Sequence, residues 1–210
     1  MRLSEGALSF GAMSIALREP WTVDRFLAWE DVQEERHEFD GSRIVAMTGG
    51  SRAHQRIISN LIRLLEDTLD PDVFDAVPEM RLQVAGRVRY PDVAVVAGRI
   101  PGDARTLQDA VVLFEVLSDD TAATDRREKR AEYARLPGLR CYVLLEQGRM
   151  TATMLRRGEQ GWVETELAQG SAGVLSAAAG TLELPEVGVA LSLAAIYRGL
   201  RLDRGASDTE

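Results

Sequence analysis

The sequence predicts an α/β protein with a mixed central sheet, and two observations carry that expectation. Residues 110–117 (AVVLFEVL) and 140–145 (RCYVLL) are nearly continuous apolar runs, the pattern of strands covered on both faces. Around them the apolar spacing switches between helical and extended in the order helix, three strands, helix, strand, which is the layout of an α/β layer.

The elements follow from the N-terminus. Residues 22–30 (TVDRFLAWE) form a short amphipathic helix with Thr22 as its N-cap. The Asp40-Gly41 pair, flanked by 36–39 and 43–47, marks a two-residue hairpin turn. Ser51 caps a longer helix in which Ile57, Ile58, Leu61, Ile62, Leu64 and Leu65 recur at helical spacing until Pro71 ends it. Three strands are expected over 73–84, 88–97 and 110–117. Asp125 and Glu128 then make a capping box that opens a helix through Tyr133, with Lys129 about one turn inside it. After the strand at 140–145, the segments 150–156, 162–167 and 174–184 read as shorter antiparallel strands, and 192–200 as a closing helix. Residues 1–20 and 201–210 read as an irregular and a disordered tail around a single domain over 21–200.

The composition narrows the function. With 45% hydrophobic and 28% charged residues and no run near the roughly 18 apolar residues of a membrane span, the chain is expected to be soluble, without a membrane partner. The first nineteen residues lack a continuous apolar core, so no secretory signal is expected. The single cysteine, Cys141, lies in an apolar run and suits a buried thiol in the reducing cytoplasm. The net charge of −8 argues against broad nonspecific attraction to nucleic acid, although carboxylates that hold a metal count as negative until the ion arrives.

One asymmetry singles out a region. Of 25 basic residues only Lys129 is lysine, and an ammonium is a compact point charge that orients water or stabilises an oxyanion, unlike the planar guanidinium. Asp92 follows Pro91 at one strand, Glu115 lies in the next apolar strand, and Lys129 is on the helix after it. A carboxylate between Phe114 and Val116 costs several kcal/mol if buried alone, so Glu115 needs a cation, a metal or a proton. Two carboxylates on neighbouring strands suit a hard divalent ion, which polarises a phosphodiester and activates a bound water.

These residues carry a resemblance. Tyr90-Pro91-Asp92, Phe114-Glu115-Val116-Leu117-Ser118, the segment 125–133 (DRREKRAEY), His37-Glu38-Phe39-Asp40-Gly41 and His54-Gln55-Arg56 resemble the Uma2 family, domain of unknown function 820, within the PD-(D/E)xK restriction-endonuclease-like superfamily. The resemblance covers roughly residues 21–200 and implies an αβββαβ core, Mg²⁺ or Mn²⁺ dependence and DNA endonuclease activity. It implies Asp92, Glu115 and the Val116 carbonyl as metal ligands, with Glu38 serving either the metal pocket or only the hairpin. The superfamily lysine normally stands two residues after the second acid, where this chain has Leu117. In Uma2 proteins it stands on the next helix, where Lys129 lies, although a surface pair with Glu128 or Glu132 is the alternative. His54 is either a catalytic base, a phosphate contact or a surface residue. Gln55, Arg56, Arg89, Arg126 and Arg127, with Arg52, Arg87 and Arg130 nearby, are expected to rim the site and contact DNA phosphates. A homodimer is expected, since cutting both strands commonly takes two sites. A noncatalytic nucleic-acid-binding or regulatory module, and an adaptor dimerising through its C-terminal strands, are the competing readings.

Overall fold

The computed structural model describes residues 19–47, 49–117, 122–168 and 180–202, with only the backbone for 122–126. In chain order its elements are α1 (Val23–Glu30), β1 (His37–Phe39), β2 (Ile44–Ala46), α2 (Arg52–Thr68), β3 (Phe74–Pro78), β4 (Arg81–Val84), β5 (Arg87–Arg89), β6 (Val93–Ala97), β7 (Thr106–Leu107) and β8 (Val112–Leu117). Then come α3 (Ala122–Tyr133), β9 (Cys141–Glu146), β10 (Thr151–Gly158), β11 (Gly161–Ala168), β12 (Thr181–Leu184), β13 (Val189–Ser192) and α4 (Leu193–Ile196).

The central sheet has six strands in the order β11-β10-β9-β8-β6-β3. Its β8–β9 pair is parallel and joined through α3, while the other neighbours are antiparallel, so the sheet is mixed as the sequence predicts. The segment α2-β3-β6-β8-α3-β9 is the expected αβββαβ order. Strand alternation divides the apolar residues. Val93, Val95, Phe114, Val116, Val143 and Leu145 pack toward α2, the β12–β13 pair and α4. Ala94, Leu113, Tyr142 and Leu144 pack on the other face with Tyr133 of α3 and with Leu82 and Val84.

A second sheet, β2-β1-β5-β4-β7, was not foreseen. The two expected strands over 73–84 and 88–97 each divide and change sheets. The first breaks at Pro78 and Glu79, where Glu79 takes a positive φ of 46°, and the second at Tyr90-Pro91-Asp92, since proline has no N–H for a ladder. Between them Ala85 and Gly86 (φ 51° and 77°) form a two-residue hairpin turn of the twist that suits flanking strands.

Other boundaries shift for local reasons. Thr22 and Ser51 cap α1 and α2 as expected, accepting from the Arg25 and His54 amides. The first hairpin turns on Gly41-Ser42, one residue later than the Asp-Gly reading, because the Asp40 amide already donates to the Arg43 carbonyl and its carboxylate accepts from the Ser42 and Arg43 amides. Helix α3 begins at Ala122, so Asp125 stands inside it rather than at its cap, and Lys129 lies about two turns in. Ser118 and the side chains of Asp125 and Arg126 lie outside the described residues, as do residues 174–179 of the strand expected over 174–184, whose end is β12, and most of both tails. The strands β10 and β11 are longer than expected and extend the central sheet, and the closing helix is a single turn.

Candidate active site

Register brings the two acids together. The β6–β8 ladder pairs Val93 with Phe114 and Ala94 with Leu113; carried one step further, the same register sets Asp92 opposite Glu115. Directly opposed residues of an antiparallel pair have side chains on one face, within about 5 Å at Cβ. Pro91 ends the β6–β8 ladder there; the Asp92 carbonyl still accepts the Glu79 amide at 3.1 Å, and its side-chain Oδ2 accepts the Val116 amide at 2.6 Å. In an extended strand the N–H and C=O of one residue project to the same edge, so the Val116 carbonyl faces Asp92 as well. His54, in the first turn of α2, reaches the other oxygen: its Nε2 is 3.2 Å from Asp92 Oδ1. That hydrogen bond to Asp92 raises the imidazole pKa above its ordinary value. His54 Nδ1 is buried without a hydrogen-bond partner and lies against Gly50, where an added Cβ would stand 2.5 Å away.

Glu115 is 7% exposed and faces α3, where Lys129 (8% exposed) points back at it. The Lys129 ammonium lies 3.3 and 3.4 Å from the two Glu115 oxygens and 3.5 Å from Glu38 Oε1, and the Tyr133 hydroxyl donates to Glu115 at 2.9 Å. Burial pushes the Glu115 carboxyl well above the ordinary range; the charges of Asp92 and Glu38 push it the same way, and the Lys129 ammonium opposes them. Burial also raises the Tyr133 hydroxyl, which keeps it a proton donor. Lys129 therefore faces the acids of β8 and β1 from the buried side of its helix.

A second ring of charge supports this pair. Arg89 (4% exposed) makes a bidentate bond to Glu132, both contacts at 2.8 Å, and reaches Glu38 at 2.9 Å with its remaining nitrogen. Glu38 also accepts from the Tyr90 amide at 3.3 Å. One guanidinium thus ties β1, β5 and α3 together beside Lys129. This corrects the expected phosphate rim: Arg89 is buried and paired, so it has no free donor face for DNA, and Arg87 is committed to Glu132 at 3.0 Å. Gln55, Arg56 and Arg127 are exposed, whereas the Arg126 side chain is outside the described residues. Glu38 sits within ion pairs rather than facing an open pocket. Glu132, expected only as a surface partner of Lys129, instead holds Arg89, and Tyr133, to which no site role was assigned, bonds Glu115; their spacing of three and four from Lys129 sets all three on one helix face.

The donor set suits a hard divalent ion. Two buried carboxylates and a backbone carbonyl are oxygen ligands of the sort Mg²⁺ takes while keeping several waters. Burial, with the added charges of Asp92 and Glu38, pushes Glu115 toward its protonated form, and a cation at the site would offset that. Among the described residues no three His, Cys, Asp or Glu side chains converge into a cage for a metal.

An αβββαβ core whose interior strands β6 and β8 carry two acids, with a lysine on the crossover helix, defines a restriction-endonuclease-like α/β protein. A family model described as "Uma2: Putative restriction endonuclease" matches residues 23–188, and the chain belongs to the Uma2 family. The uncharacterized protein slr1290 of Synechocystis sp. is 30% identical over 184 residues, covering 84% of this chain and 91% of that one. A second Synechocystis sp. protein, sll1609, is 31% identical over 163 residues, covering 74% and 92%. The crystal structure of "a putative nuclease belonging to DUF820" from Anabaena variabilis superposes with a TM-score of 0.66 at 18% identity, over 85% of this chain and 98% of that one, which establishes the shared fold. Among the described residues no helix is long and apolar enough to cross a membrane.

Proposed function

We propose that this protein is a divalent-metal-dependent DNA endonuclease in which Asp92, Glu115 and the Val116 carbonyl hold the ion and Lys129 supplies the catalytic ammonium. The observation that carries the reading is the chain's one lysine, buried 3.3 Å from Glu115, whose neighbour Val116 donates its amide to Asp92. A bound Mg²⁺ or Mn²⁺ would supply Lewis-acid polarisation of the phosphodiester and a water of lowered pKa. The residues do the rest. Lys129 is aimed at the site by its bonds to Glu115 and Glu38, and an ammonium fixed there stabilises charge developing on the phosphoryl oxygens without reorganising. His54 has one nitrogen on Asp92 and the other enclosed against Gly50, so it orients the carboxylate and is not the base that takes a proton from water. Glu38 is a positioning residue: bonded to Arg89, it is 3.5 Å from the lysine at its other oxygen. The single buried cysteine, Cys141, suits a reducing, cytoplasmic setting, and a homodimer would let two such sites cut both strands.

The test is cleavage of supercoiled and single-stranded DNA with Mg²⁺, Mn²⁺ or EDTA by the native chain and by Asp92→Ala, Glu115→Ala and Lys129→Ala. Metal-dependent nicking lost in all three variants is expected. Nicking lost in the acid variants alone would remove Lys129 from the chemistry. A well-folded native protein that binds DNA but never cuts it would make the chain a binding or regulatory module on this fold.

A further inference from the structure

Four arginines outside the acid site gather where nothing among the described residues neutralises them. An open cavity of about 630 Å³ runs along the outer face of α2, lined by Arg52, Arg56, Ser59, Asn60 and Arg63 and closed by Arg198 and Gly199 after α4. Successive helix residues turn by about 100°, so Arg52, Arg56 and Arg63 fall within about 40° of one another, on the side opposite Ile57, Leu61 and Leu65. Buried Asn60 explains how the fourth arrives. Its Nδ2 donates to the Ile196 and Arg198 carbonyls at 2.8 and 2.9 Å, pinning the end of α4 to α2 and setting Arg198 across from the stripe.

The charge there is uncompensated. Arg36, Arg81, Arg89 and Arg156 each hold a carboxylate within salt-bridge distance, but among the described residues Arg52, Arg56, Arg63 and Arg198 do not. Helix α2 has no acidic residue in its first turn, so Arg52 adds positive charge at the positive end of the helix dipole. A chain of net charge −8 has acids to spare for such a cluster, and an arrangement that leaves four guanidiniums facing one hollow is favourable when an anion fills it.

The dimensions select the anion. From Arg52 to Arg63 is eleven residues, about 16 Å of helix. One strand of duplex DNA offers a phosphate for every 3.4 Å of axis while winding around it, so a stripe of about 16 Å spans several phosphates of a strand and exceeds a single phosphate ion. We propose that this cleft docks the phosphodiester backbone of a nucleic-acid strand, as a second contact surface on the far side of α2 from His54. This rests on the nuclease reading of Asp92 and Glu115, from which the cleft is separated by about one helix diameter, 10–12 Å. It supplies backbone attraction that overcomes the overall negative charge and carries no base readout.

The experiment is fluorescence anisotropy of a labelled 20-mer, duplex and single-stranded, in EDTA from 50 to 200 mM salt. It compares the native chain, Arg56→Ala/Arg63→Ala, Arg198→Ala, and Arg99→Ala as an exposed control away from the cleft. The double variant is expected to bind duplex on the order of tenfold more weakly and to lower the slope of log K against log salt by about 2, at roughly 0.9 per lost contact. Arg198→Ala should lower it by about 1, and Arg99→Ala should leave it unchanged. An unchanged slope in the double variant, an equal loss in Arg99→Ala, or no binding by the native chain overturns the proposal. So does calorimetric binding of inorganic pyrophosphate that the double variant abolishes while DNA affinity is untouched, which would assign the cleft to a free polyphosphate. Because this assay contains no metal, it reads docking apart from cleavage; native protein that binds with the predicted slope here yet never cleaves once Mg²⁺ or Mn²⁺ is supplied would end the nuclease reading and leave the docking cleft standing.

Discussion

At the scale of single residues, Lys129 and Glu115 define each other. An arginine at 129 carries the same charge in a broad planar fork, which the space between Glu115 and Glu38 does not accommodate as it does a point charge. Lys129→Arg is therefore expected to lose cleavage about as fully as Lys129→Met, on the order of 10²–10³-fold in kcat, in a plasmid-nicking assay. Burial also predicts a pH effect on stability. The folded Glu115 has a raised pKa, so it binds its proton more tightly folded than unfolded; the stability this contributes is complete below the ordinary carboxylate value of about 4.3 and is lost as pH rises through the folded value. In EDTA, Lys129→Met should lower the melting temperature more at pH 8 than at pH 5, and adding Glu115→Gln should remove that difference. Cys141 makes a simpler case. Burial raises its thiol to about 12, so a thiol-alkylating reagent at pH 8 should modify the unfolded chain and leave the native one unmodified, as mass spectrometry would show.

At the scale of elements, caps and turns set the positions on which the site depends. Ser51 caps α2 and also meets the Gln147 side chain, so Ser51→Ala is expected to cost about 1 kcal/mol in urea unfolding and to loosen the turn that carries His54. The β4–β5 hairpin shows the opposite opportunity. Ala85 is held at φ 51°, a conformation its Cβ resists, ahead of Gly86 at φ 77°. Ala85→Asn, which gives the Asn-Gly pair that this turn favours, should stabilise the protein by about 0.5–1 kcal/mol in the same assay. The six-residue apolar strands β8 and β9 were legible from their composition alone, because a strand buried on both faces leaves an unbroken run of apolar letters. The short strands β4 and β5 were not, because Glu79 and Pro91 redirect the chain between sheets within one extended stretch, and extended residues look alike whichever sheet they join.

At the scale of the whole molecule, two sheets and two helices meet around one charge cluster, and ligand binding there should be felt globally. A divalent ion at one hundred times its Kd should stabilise the fold by about 2.7 kcal/mol, read as a rise in melting temperature with Mn²⁺ that disappears in Asp92→Ala. The sequence by itself determined the mixed α/β class and the order of the core elements, and it singled out Asp92, Glu115 and Lys129 as candidates, since apolar runs, a proline before an acid and a solitary lysine are all local signals. Whether Lys129 faces the acids or solvent was open, because a charged helix segment such as RREKR reads as a solvated face. Tertiary structure decided it by seating α3 against β8 and β1, where the lysine is buried among Glu115 and Glu38. The same packing withdrew Arg89 from the surface and gathered Arg52, Arg56, Arg63 and Arg198 around one cavity. Partners from distant segments meet only when register and packing are complete, and charge alone does not say which partner a guanidinium will find.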